Sequence, residues 1–113
     1  MADKITRLSQ AIRLGATFRP QAFRYLWCKR GDVIGTCALG AAYEAAFGEI
    51  PSDLDSFKPA YARLEERFPE LKEYFDGFGS GNAKSLEANI TCANDRDLKS
   101  REQIADELER IGL

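Results

Sequence analysis

Apolar residues at Ile5, Leu8 and Ile12 fall at i, i+3 and i+7, the spacing of one buried helix face. Asp3 is placed to cap this helix and Gly15 to end it. The period then changes: Phe23, Tyr25 and Trp27 alternate with Arg24, Leu26 and Cys28, a strand pattern, and Arg30-Gly31-Asp32 supplies a turn before Val33-Ile34. This predicts a hairpin over 22–36. A helix from Pro20 to Lys29 is the competing reading, because Phe23, Leu26 and Trp27 also fit helical spacing.

From Gly35 to Gly48 almost every side chain is small and none before Glu44 is charged, so a helix over about 37–47 should form a buried spine. Thr36 is the expected N-cap and Gly48 the C-terminal stop. Gly40 inside a helix costs roughly 1 kcal/mol relative to Ala, which is explained if a neighbouring backbone packs against it. Phe57, Tyr61, Leu64 and Phe68 make an amphipathic stripe, Pro69 interrupts it, and Leu71, Tyr74 and Phe75 resume it, so two helices or one bent helix are expected over about 57–76. Asp76–Asn82 reads as a mobile connector. Leu86 and Ile90 mark a helix entered near Ser85, Asn94-Asp95-Arg96-Asp97 reads as a turn, and Ser100-Arg101-Glu102-Gln103 is a capping box for a last helix with Ile104, Leu108 and Ile111 inward. Together these patterns predict a mainly α (α+β) fold, about five short helices with a small β-hairpin near residues 22–36, in a single globular domain over 1–113.

Composition narrows the chemistry. Histidine is absent, which removes the general base of Ser-His-Asp and Cys-His catalysis. The three cysteines, Cys28, Cys37 and Cys92, have no close pair, so neither a disulfide framework nor a zinc site is expected, and no cofactor is implied. No segment approaches a membrane span or a signal-peptide core, so a cytoplasmic protein is expected. The formal charge is -2, but it is uneven: residues 1–30 hold seven basic residues against Asp3 alone, and the remainder holds 9 basic against 17 acidic. Two readings follow: the basic segment packs against the acidic helices, or it offers a surface to phosphate or an acidic partner.

Two motifs invite a functional reading. The Gly-x-Gly-x-Gly of Gly77–Gly81 lacks the preceding strand, the following helix and the Lys-Ser/Thr ending of phosphate loops. Ser100–Leu108 resembles the first helix of a helix-turn-helix unit, but only Ile111-Gly112-Leu113 follow where a recognition helix is needed. Neither is expected to bind a nucleotide or DNA.

Ala11-Ile12-Arg13-Leu14-Gly15-Ala16, Arg19-Pro20-Gln21-x-Phe23, Cys37-Ala38-Leu39-Gly40-Ala41-Ala42, and Asn94-Asp95 followed by Ser100-Arg101-Glu102-Gln103-Ile104-Ala105-Asp106 resemble a family of small uncharacterised bacterial and phage-associated proteins. The resemblance touches both ends and the spine, leaves residues 49–84 outside, and implies a shared fold without an activity. Relatives carry histidines near the Asn-Asp pair and a Cys-x-x-Cys in the middle segment; here Arg96 and Asp97 follow the pair and the middle has no cysteines, so no metal role carries over. If the family shares a surface, Arg19, Gln21, Cys37, Asn94 and Asp95 are the candidate binding residues.

Three functions are therefore weighed. The favoured one is a noncatalytic interaction domain, for a protein partner or a second copy, burying an aromatic patch around Phe18, Phe23, Tyr25 and Trp27. A second is nucleic-acid or phosphate binding through Arg13, Arg19, Arg24, Lys29 and Arg30 beside stacking aromatics. The third, an enzyme with Cys37 as nucleophile at a helix N-terminus, lacks its base and is not favoured.

Overall fold

The computed structural model describes residues 5–23, 26–51, 58–73 and 85–113. Among them lie five α-helices and one two-stranded antiparallel hairpin: α1 (Leu8–Ala16), β1 (Trp27–Arg30), β2 (Val33–Thr36), α2 (Ala38–Phe47), α3 (Lys58–Arg67), α4 (Leu86–Asp95) and α5 (Arg101–Arg110), with a 3-10 turn at Pro69–Lys72. The mainly helical fold with a small hairpin is the one the periodicities imply. Asp3 and Gly77–Gly81 lie outside the described residues.

Helix α2 is the centre. It packs on α1 and α4, and α1 in turn packs on α5. Ala38, Leu39, Gly40, Ala41, Ala42, Tyr43 and Glu44 are all buried, so the helix is enclosed around its circumference and apolar except at Glu44, which Arg19 pairs. The small side chains have a steric cause: a Cβ at Gly40 would lie 1.8 Å from the carbonyl oxygen of Leu26, and one at Gly15 would lie 1.9 Å from that of Ala41. Gly40 therefore admits the segment entering β1, as its position inside the helix suggested. Gly15 departs from expectation, because it sits within α1 at the crossing with α2 and the helix continues to Ala16.

The ends of α2 are set by two local devices. Gly48 is left-handed (φ 78°) and its N–H bonds Glu44 O at 2.8 Å, the expected glycine stop. The N-cap is one residue later than expected: Cys37 Sγ accepts from Gly40 N–H at 3.4 Å, while Thr36 remains the last residue of β2. Thr36 is held in the strand because its backbone bonds both Pro20 O and Ala22 N, each at 2.9 Å.

The hairpin closes through a two-residue loop, with Arg30 paired to Val33 and Cys28 to Gly35. Gly31 has φ 60° while Asp32 does not enter the positive region, the pattern of a type II′ turn that matches strand twist. The competing helix over Pro20–Lys29 is thereby excluded. Trp27 ties the hairpin to the loop after α2 by donating from Nε1 to Pro51 O at 2.6 Å.

Pro69 does interrupt the helical pattern, turning α3 into the 3-10 segment that brings Phe68 and Leu71 into the core. Ser85 caps α4 and the Ser100–Gln103 box caps α5, both as the sequence indicates. Asn94 and Asp95, expected in a turn, are the last two residues of α4, and the turn starts at Arg96. Leu86, Ile90, Ile104 and Leu108 close the core against Leu8, Ile12 and Leu39.

Candidate functional site

The five residues proposed from sequence fall into two groups. Gln21 and Asn94 form a polar knot with the N-termini of α2 and α5. Asn94, almost wholly buried, accepts at Oδ1 from Ala38 N–H and from Gln21 Nε2, each at 3.2 Å, and donates from Nδ2 to Ala22 O at 3.0 Å and Asp95 Oδ1 at 2.7 Å. Every hydrogen-bonding site of the amide is used. Gln21 also donates to Lys99 O at 2.8 Å and accepts from Arg101 N–H at 3.3 Å. Ala38 and Arg101 are the first residues of α2 and α5, whose N–H groups have no partner within their helices. Side chains remote in sequence thus complete both helix starts.

Arg101, outside the five candidates, completes the same region. Its guanidinium is buried and donates to Thr36 Oγ1 at 3.1 Å and, at 3.4 Å, to the carbonyls of Thr36, Pro20 and Ala16. Burial disfavours its charge, and carbonyl oxygens from three segments offset this. The signal was present in the sequence: Arg101, Ile104, Ala105 and Leu108 share one helical stripe, which places the arginine on the core face.

Cys37 borders the knot but offers no nucleophile. Its thiol is buried and burial pushes its pKa up to about 11, outweighing the hydrogen bonds from α2 N–H groups that favour thiolate. Arg19 lies apart, donating from Nε to both Glu44 carboxylate oxygens at 2.9 and 3.0 Å and from NH2 to Oε2 at 2.8 Å. Arg13 likewise pairs with Asp106 and Glu109 of α5. Two of the five cations suggested for nucleic acid are therefore engaged with carboxylates, Arg24 lies outside the described residues, and Lys29 and Arg30 are exposed on the hairpin.

Beside the knot lies a groove of about 550 Å³. The strip side is formed by Pro20, Gln21, Ala22 and Phe23, and the hairpin side by Cys28, Arg30, Val33 and Gly35. Those four share a face because Cys28 pairs with Gly35 and Arg30 with Val33 across the register. Gly35 makes the strip possible: a Cβ there would lie 3.0 Å from Pro20 O and 3.2 Å from Ala22 Cβ. Phe23 is 42% exposed and Val33 56%, and the other large exposed apolar residues among those described, Leu14, Phe18 and Leu98, fall outside α2, α3 and α5. Of the expected aromatic patch, Phe18 and Phe23 are open, Trp27 is half-buried against Pro51, and Tyr25 is outside the described residues.

No family model matches the chain, and no curated protein and no solved structure matches it either.

Proposed function

We propose that this protein is a noncatalytic interaction domain that receives a segment of a partner protein in the groove between Pro20–Phe23 and the hairpin. One observation carries the reading: Phe23 and Val33 are exposed large apolar side chains that line one groove, and exposed apolar surface of this kind marks interaction sites. Gln21 then both lines the groove and belongs to the knot, while Arg19, Cys37, Asn94 and Asp95 act indirectly. The knot holds the groove's outer wall in place, and Arg19 anchors the end of that wall to α2.

The ion pairs of Arg13 and Arg19 weigh against the nucleic-acid alternative, which needs free cations. The burial of Cys37 weighs against a thiol enzyme. A cytoplasmic location accords with three unpaired cysteines, Cys28, Cys37 and Cys92; no helix among the described residues is long and apolar enough to cross a membrane.

The test is selection of a random displayed peptide library against the wild-type chain and against a Phe23→Ser/Val33→Ser variant. Peptides that bind wild type and lose binding to the variant support the reading. Peptides that bind both equally, or enrichment of none, overturn it. Sedimentation of the free protein decides whether a second copy occupies the groove instead.

A further inference from the structure

The chemistry of the groove's occupant can be read from its charges. Arg30 is the only charged side chain lining the groove among the described residues, and no carboxylate lines it. Arg30 is exposed, and it makes no ion pair among the described residues, in contrast to Arg13 and Arg19. Lys29, the preceding residue of β1, is also exposed, and on the opposite hairpin face it raises the positive potential of the same strand. The hairpin's one carboxylate, Asp32, lies in the turn and is not part of the groove wall.

The rest of the lining is apolar apart from Gln21: Phe23 and Val33 stand open, and Cys28 is half-buried. An arginine beside an aromatic and an aliphatic side chain is the composition that concentrates binding energy at protein interfaces. A guanidinium is suited to a planar carboxylate, which it can hold through two parallel N–H donors. A second copy of this chain would set Lys29 and Arg30 against their own copies if hairpins met, a like-charge juxtaposition that disfavours pairing.

Resting on the interaction reading above, we infer that the groove takes an acidic, apolar peptide segment of another protein, with a Glu or Asp carboxylate on Arg30 and a large apolar side chain between Phe23 and Val33. A polynucleotide is less suited, because among the described residues the groove presents one guanidinium where a phosphate backbone engages several cations.

The experiment takes a random displayed peptide library to the full chain, then titrates the consensus peptide by isothermal calorimetry. Enrichment of Asp or Glu next to Leu, Ile or Phe is expected, with affinity falling as salt rises. Arg30→Glu should weaken the consensus peptide by at least about tenfold, the size of one charge-assisted hydrogen bond, and a peptide with Lys replacing the acid should regain affinity for that variant. Retained circular dichroism of Arg30→Glu separates loss of contact from loss of fold. The bound peptide should also slow alkylation of Cys28 by N-ethylmaleimide while leaving Cys92 unaffected.

Enrichment of neutral or basic apolar peptides, or affinity insensitive to Arg30→Glu, overturns the acidic assignment and leaves the interaction reading intact. No peptide discriminating wild type from Phe23→Ser/Val33→Ser overturns both. Tighter binding of single-stranded RNA than of any selected peptide overturns both in favour of a nucleic-acid partner.

Discussion

Gly40→Ala sets intrinsic helix preference against packing. Inside a helix, alanine is favoured over glycine by roughly 1 kcal/mol, so propensity alone predicts a more stable protein. At this site the added Cβ would lie 1.8 Å from Leu26 O and 2.8 Å from Leu26 C. Ordinary contact starts near 3.4 Å, so the two backbones must part by about 1.5 Å, far beyond what a close-packed interior absorbs without cost. Leu26 is fully buried and its carbonyl accepts Cys37 N–H at 3.2 Å, which ties the hairpin entry to the start of α2. Overpacking costs about 1–3 kcal/mol, and weakening a buried hydrogen bond adds about 1–2 kcal/mol. Less the helix gain of about 1 kcal/mol, the net destabilisation is about 1–4 kcal/mol.

Urea unfolding followed by the helical circular dichroism signal measures this directly. Gly48→Ala is the comparison, since Gly48 has no neighbour within 4 Å but holds φ 78°; its loss should be near 1–2 kcal/mol from backbone strain alone. An unchanged or higher midpoint for Gly40→Ala would refute the close approach of Leu26 to α2.

Three further outcomes are expected. Asn94→Ala leaves Ala38 N–H and Ala22 O without partners in a buried setting, and should cost about 3–5 kcal/mol in the same assay; a loss below 1 kcal/mol would show that the knot is dispensable. In the folded protein Cys37, with its pKa near 11, should be alkylated far more slowly than the half-buried Cys28 and Cys92, and equal rates by mass spectrometry would contradict its burial. Glu87 is pushed up to about 8 by burial and by its hydrogen bond with Glu65. Because its folded value lies above its ordinary one, stability is lost as pH rises from about 4.5 through 8. Glu87→Gln should therefore raise the urea midpoint at pH 9 and leave it nearly unchanged at pH 4; the opposite pattern would refute the upward shift of Glu87.

Local signals located most of the fold. Gly48, Ser85, the Ser100–Gln103 box and Pro69 each act through their nearest neighbours in the chain, so each could be placed from sequence. The errors occurred where a distant partner decides. In sequence Gly15 reads as a helix end, yet its role is set by Ala41, which periodicity within α1 cannot reveal. Asn94 and Asp95 have turn-forming side chains, but Asn94 is retained in α4 by bonds to Gln21, Ala22 and Ala38. Thr36 yields the cap to Cys37 because strip 20–22 pairs with its backbone.

Of the candidate residues, Arg19 stands apart on Glu44, and the role of the others is not legible from sequence. Gln21 and Asn94 do converge, together with the N-terminus of α2 beside Cys37, but they meet as a buried hydrogen-bonded knot. The groove depends on strand register and on the missing side chain of Gly35, neither of which is visible before the hairpin is assembled.

The proposed function places binding in the groove and gives the knot a supporting role. Amide chemical-shift mapping of the labelled protein titrated with the selected acidic peptide tests this most directly. Saturable shifts should concentrate at Phe23, Cys28, Arg30, Val33 and Gly35, with Ala38 and the Asn94 side-chain amide little changed. Shifts centred on Arg19, Asn94 and Asp95, with the hairpin unperturbed, would contradict the account.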